Sequence, residues 1–190
     1  MRRELFCVTD FFSEFGLDRR AWIDLDDLKA KYHALMAEAH PDKTSGSTAK
    51  STLLNEGRKT LSSHPQRLRH LAALQGGTET TTKVSPDWDL FSRTGELTRR
   101  ASVALEKKAA LTSPIAKAVL RAELTQLESD LITLRKEINA HLDQLETRTR
   151  EADQAPHDAA SLFILAEEWT FGTRWFQSIN VAITSLSLRL

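Results

Sequence analysis

A single cysteine, Cys7, is all the thiol chemistry in the 190 residues. That excludes an internal disulfide and any zinc site built on a cysteine pair. As a small apolar residue, Cys7 reads as structural rather than redox-active. An excess of one charge is missing too: 26 basic and 26 acidic residues cancel, whereas a dedicated nucleic-acid binder carries a basic surplus. No apolar run approaches the roughly 18 residues that span a bilayer. Behind Met1-Arg2-Arg3 the apolar stretch is too short for a signal peptide, and acidic residues follow at once. The expectation is a cytoplasmic protein with no nucleic-acid and no membrane partner. A Gly-rich phosphate loop and a nucleophile–base arrangement are also lacking, and no catalytic residue and no cofactor is expected. His141 stands alone on a leucine seam without ligand neighbours, which makes it a satisfied or edge core histidine rather than a metal ligand.

The chain has the length for one generous core or two small ones. Its 41% apolar and 27% charged content is that of a globular protein. The apolar spacing is helical throughout. Asp10 is placed to cap a short helix over Phe11, Phe12 and Phe15, which Gly16 ends. Asp24, with Asp27 three residues on, is an N-cap for a helix whose inward face is Leu25, Leu28, Tyr32, Leu35, Met36 and Ala39. Pro41 then disfavours the helical region for His40 and stops the hydrogen-bond ladder. The Ser/Thr/Gly stretch Thr44 to Thr48 reads as loop. A second helix starts near Ser47 and runs through Leu53, Leu54, Gly57 and Leu61. The two helices form a hairpin that presents His40, Asp42 and Lys43 at its tip.

Gly76-Gly77 and the threonines behind them read as a linker, setting domains at 1–75 and 87–190 with residues 76–86 between. The second half predicts three helices. The first spans Trp88 to Leu111, with Leu90, Leu97, Ala104 and Leu111 at seven-residue spacing. Ser113-Pro114 opens the longest, to about Ala152. Along it Leu120, Leu124, Leu127, Leu131, Leu134, Ile138, His141 and Leu145 alternate four and three apart. Pro156 opens the last, on which Leu162, Leu165, Trp169, Gly172, Phe176, Ile179, Ile183 and Leu186 repeat that spacing. Gly172 is expected to let a neighbouring helix or tryptophan approach. Trp169, Phe171, Trp175 and Phe176 fall on more than one helix face, a candidate partner surface or an anchor. The fold class is all-α, with an N-terminal helical hairpin and a C-terminal antiparallel three-helix bundle.

His40-Pro41-Asp42, with Tyr32 and Leu35 eight and five residues before the histidine, resembles the signature of J-domain co-chaperones. Asp10-Phe11-Phe12 and Gly16-Leu17 match that family's opening stretch. Asn55, Leu61, Arg67, Leu71, Leu74 and Gly76 narrow the resemblance to the HscB type, which serves iron–sulfur cluster assembly. That resemblance implies a non-enzymatic co-chaperone. It would stimulate ATP hydrolysis in a DnaK/HscA-class chaperone through His40, Pro41, Asp42 and Lys43, with Lys29 and Lys31 on the upstream helix. Asp42 would supply a carboxylate for a charge-assisted bond, and Pro41 would hold the loop rigid. It also implies a client, an iron–sulfur scaffold protein, held by Leu90, Phe91, Glu96 and Leu97.

Four departures accompany the resemblance. Glu38 stands close to the tip, and the segment from Lys43 to Asn55 is roughly two helical turns shorter than in the family, which predicts a stubby downstream arm. Ser92 and Gly95 stand where larger apolar side chains are expected. Arg58, Lys59, Arg67 and Arg69 form an acid-free run that is either a compensating basic surface or a solvated face. Two other readings stay open: a J-domain protein with a different client, and a helical adaptor that no longer engages a chaperone.

Overall fold

The computed structural model describes residues 9–39, 48–77, 84–154 and 158–187. Every regular element among them is helical: α1 (Phe11–Glu14), α2 (Leu25–Ala39), α3 (Thr48–Ser62), α4 (His64–Leu74), α5 (Trp88–Ala110), α6 (Pro114–Glu151) and α7 (Ala159–Ser187). They pack into two compact units. One takes residues 1–82 with 146–167, the other residues 83–145 with 168–190.

In the first unit Asp10 begins α1 as its residue type dictates. Its carboxylate accepts the backbone N–H of Phe12 at 3.0 Å and of Ser13 at 3.3 Å. Gly16 closes the helix with φ +58°, and the N–H of Leu17 donates back to the Phe12 carbonyl at 2.9 Å. That left-handed cap suits glycine. Phe11 and Phe15 then settle on α3 at Gly57, where a Cβ would stand 2.8 Å from the Phe15 ring. Only the missing side chain lets α1 lie so close.

Asp24 caps α2 through the N–H groups of Asp26 and Asp27, at 2.8 and 3.4 Å. Leu28 and Ala39 are buried, Tyr32, Leu35 and Met36 half-buried. Leu25 departs from the expected inward face: as the first residue of the helix it is 46% exposed. The downstream arm is not stubby, since α2 and α3 each span 15 residues. The tail of α6 and the head of α7 complete this unit. Asp153 accepts the backbone N–H groups of Ala21 and Trp22 at 2.6 and 3.0 Å, and the Arg150 guanidinium lies 4.2 Å over the Trp22 ring.

The second unit is the three-helix bundle, its core drawn from Leu90, Ala101 and Ala104 of α5, the leucine seam of α6, and Trp175, Ile179, Ala182 and Leu186 of α7. Ser187 meets Glu128, Asn180 meets Arg135 and Gly172 meets Leu142, so α6 and α7 run antiparallel in continuous register. At Gly172 a Cβ would stand 2.7 Å from Leu142; the neighbouring helix is what the glycine admits. His141 is half-buried 6.0 Å from the Trp175 ring, an edge position. Pro156 lies outside the described residues. The last helix is capped instead by Asp158, whose carboxylate accepts the N–H of Ser161 at 2.8 Å.

Candidate functional site

His40, Pro41, Asp42 and Lys43 lie outside the described residues, between the end of α2 and the start of α3. The helices that carry them are described, and their pairing is built from a few named contacts. The Tyr32 hydroxyl donates to Asn55 Oδ1 at 2.7 Å, bolting α2 to α3. Arg58 sits 4.5 Å over the same tyrosine ring. Ser51 Oγ donates to the carbonyl of Ala39, the last residue of α2, at 3.3 Å. The aromatic and the asparagine singled out in the sequence thus meet, at the place that fixes how the two arms approach the loop.

Of the cations predicted on α2, Lys31 is engaged within the unit. Its ammonium donates to the Gly16 carbonyl at 2.8 Å and pairs with Asp27 at 3.4 Å. Lys29 is exposed.

The acid-free run of Arg58, Lys59, Arg67 and Arg69 does not form one basic surface. Arg67 is wholly buried. Its Nε donates to the Ala21 carbonyl at 2.7 Å and its Nη1 to the Leu61 carbonyl at 2.6 Å. Burial lowers its pKa to about 10, partly offset by Asp153, which leaves it charged at neutral pH. Arg69 pairs with Glu167 of α7 at 2.5 Å, and Arg58 is spent on Tyr32. Sequence spacing shows a stretch of positive charge; it does not show that position 67 points inward, beneath the loop at Ala21.

Two histidines of α4 are held neutral. His70 Nε2 accepts the Phe11 backbone N–H at 3.2 Å, and its ring stacks on Phe12 at 5.7 Å. Burial pushes its pKa down, and nearby Asp10 only partly restores it. His64 is driven further, to about 4, by burial and by the Arg67 charge. Asp10 is the opposite case. Burial raises its pKa, but hydrogen bonds from Ser13 and Arg19 outweigh that and hold the carboxylate below its usual range.

On α5 the candidate client residues divide. Leu90 is buried in the bundle core and Leu97 packs half-buried against it. Phe91 is 49% exposed, and Glu96 faces solvent bonded to Arg99 at 2.9 Å. Ser92 and Gly95 are exposed as well. Trp88, read from the sequence only as a helix start, is 64% exposed and meets Phe91 edge to face at 5.5 Å. Asp87, an N-cap, accepts the N–H groups of Asp89 and Leu90 at 3.1 Å each and so fixes this first turn. Beside it, Ser92, Arg93, Glu96 and Leu97 of α5 and Asp130 and Thr133 of α6 line an open recess of about 430 Å³. The aromatics of α7 are not a partner surface: Trp169 and Trp175 are buried, Phe171 and Phe176 half-buried.

Among the described residues no group of three or more His, Cys, Asp or Glu side chains is placed to hold a metal ion, and no helix is long and apolar enough to cross a membrane. No family model matches the chain. Its all-helical fold is similar to that of the chaperone HscB from Vibrio cholerae, on which it superposes with a TM-score of 0.58 at 17% identity, over 94% of this chain and 99% of that one. In sequence it is 41% identical over 75 residues to a co-chaperone protein HscB homolog of Chromobacterium violaceum, covering 35% of this chain and 43% of that protein. To the homolog of Azoarcus sp. (strain BH72) it is 36% identical over 90 residues, covering 42% and 51%. The likeness in sequence is to HscB homologs over the matched stretch, and the likeness to the solved structure is one of fold. The chain's match spans about half the length of those curated relatives.

Proposed function

We propose that this protein is a cytoplasmic co-chaperone that stimulates ATP hydrolysis by a DnaK/HscA-class chaperone through His40, Pro41 and Asp42, with Lys43 and Lys29 adding charge. The observation that carries this is the intact His-Pro-Asp signature between α2 and α3, joined by the Tyr32–Asn55 contact at 2.7 Å. The hydrolysis is the partner's chemistry; this chain contributes the Asp42 carboxylate for a charge-assisted bond. With Lys31 committed to Gly16 and Asp27, and Glu38 close to the tip, steering is weaker than a fully basic helix would give. Adding the full-length protein at micromolar concentration to the chaperone tests the reading. An increase in steady-state ATP turnover supports it, and an unchanged rate rejects it in favour of a helical adaptor.

The client we infer is an iron–sulfur scaffold protein, bound through the start of α5. Leu90 and Leu97 are drawn into the bundle, so Phe91, with Trp88 and Glu96, carries what binding there is. The same division favours a second reading, a J-domain protein with another client, because exposed aromatics without the flanking apolar residues make a smaller anchor. Titrating the full-length protein with the scaffold separates the two. Binding weakened about tenfold or more by Phe91→Ala supports the scaffold, and no binding supports the other client.

A further inference from the structure

The outer side of α7 has lost its charge. From Trp175 to Ser187 there is no Asp, Glu, Lys, Arg or His, in a chain that is 27% charged. Core packing explains part of this, since Trp175, Ile179, Ala182 and Leu186 fill the bundle. It does not explain Gln177, Ser178, Val181 and Thr184, which are exposed, Val181 by 67%. Solvent-facing helix positions ordinarily take charged side chains, as Lys117, Arg121, Glu123, Lys136 and Glu137 do on α6. Depletion of charge around an exposed aliphatic side chain is the composition of an interface centre.

The same side of α7 is one wall of an open groove of about 580 Å³. Arg174, Ser178 and Ser185 line it from α7, and Thr98, Ser102 and Leu105 from α5. Arg174 is the single charged residue of the lining. Along α7, Arg174, Ser178, Val181 and Ser185 recur four, three and four residues apart, a seam that another helix can follow.

We propose that this face is a two-fold interface between two copies of the chain, with α7 antiparallel to the partner's α7 and Val181 at the axis. The chemistry selects a second copy. A two-fold contact sets a surface against itself, so charge of either sign near the axis would repel. Hydroxyl and amide groups both donate and accept, and can satisfy their own kind. With Val181 on the axis, Gln177 falls opposite the partner's Ser185, and Ser178 opposite the partner's Thr184. The one charge, Arg174, stands seven residues from the axis, which sets the two copies of it about 21 Å apart along the helices. That is well beyond the roughly 8 Å screening length of physiological salt. A strongly acidic or basic partner would find almost nothing to pair with along this seam. A lipid surface calls for Trp, Phe and Leu anchors, which the exposed positions lack.

Sedimentation equilibrium of the full-length protein tests the proposal. The parent should pass from the monomer mass of 21.4 kDa toward twice that value between about 1 and 100 µM, the affinity suited to so polar a contact. Val181→Glu and Val181→Lys each bring like charges together at the axis, and each should weaken association about tenfold or more. An equimolar mixture of the two variants should associate again, because opposite charges then meet. Val119→Glu, on the exposed side of α6, should leave association unchanged. Both positions are exposed, so circular dichroism should match the parent throughout. The proposal is overturned if the parent stays monomeric, or if neither Val181 variant weakens the dimer. It is also overturned if the mixture associates no better than either variant alone, or if Val119→Glu weakens the dimer as much as Val181→Glu.

Discussion

Arg67 is a cation that sequence spacing offers to a partner and the fold keeps for itself. Its two donors serve the carbonyls of Ala21 and Leu61, so removing it strands buried acceptors as well as leaving a void. Arg67→Met should cost about 2–4 kcal/mol in urea unfolding, the expense of two unmet buried acceptors being greater than that of lost charge. Arg67→Lys should recover little, because an ammonium lacks the planar fork that reaches both carbonyls. A cost below about 0.5 kcal/mol for Arg67→Met would mean the guanidinium is not the support described. Gly57 makes the complementary point. A valine there must displace the rings of Phe11 and Phe15, which are held at 3.0 and 2.8 Å from the position of its Cβ. Gly57→Val should therefore destabilise by about 1–3 kcal/mol, the usual range for overpacking, despite the better helix propensity of valine.

At the scale of elements, α1 is attached to α4 through a neutral histidine. His70 accepts the Phe11 N–H with a lone pair that protonation would remove, and the charged groups facing it are Asp10 and Arg19, already paired with each other at 2.8 Å. The folded pKa of both His70 and His64 lies below the unfolded value, so the unfolded chain binds more protons as pH falls. Stability is therefore fully present above about 6.5 and is lost on acidification. For His64 the loss runs from 6.5 down to its folded pKa of about 4, and one histidine adds at most about 1.4 kcal/mol per pH unit. Asp10 acts in the same direction at lower pH: its folded pKa is depressed, so the stability it adds above its unfolded pKa is lost as pH falls through the folded one. Denaturant midpoints measured between pH 7 and 4 should fall steadily. His70→Gln keeps an acceptor without a titrating proton, and should flatten the curve; an unchanged slope would show that His70 does not contribute.

What the sequence made legible at this scale has a local physical cause. The caps at Asp10 and Asp24, the helix-opening Pro114 and the alternating leucines of α6 are signals within a few residues of their effect. Tyr32 and Asn55 were visible through the resemblance, and they touch. The clamp of Asp153 on Ala21 and Trp22 joins positions more than a hundred residues apart, and neither periodicity nor composition carries such a pairing. Leu90 and Leu97 show a related limit: heptad spacing marks an apolar face, and the bundle core takes Leu90 and half-buries Leu97, while Trp88 and Phe91 stay exposed.

At the scale of the molecule, the function proposed above assigns one role to each unit. One holds the helices α2 and α3 that flank the signature; the other exposes Trp88, Phe91 and Glu96. Because these features lie in separate units, changes at one should leave the other's binding intact. Phe91→Ala should weaken client binding about tenfold or more without altering basal stimulation of the chaperone, as measured by ATP turnover in the absence of client. The most direct test of the central claim is that same turnover with His40→Gln. The substitution keeps a polar side chain of similar size at a position outside the described residues. The account predicts that the parent protein raises the chaperone's hydrolysis rate and that His40→Gln returns it to the basal value while circular dichroism and thermal midpoint stay the same. Stimulation by His40→Gln equal to that of the parent would contradict it.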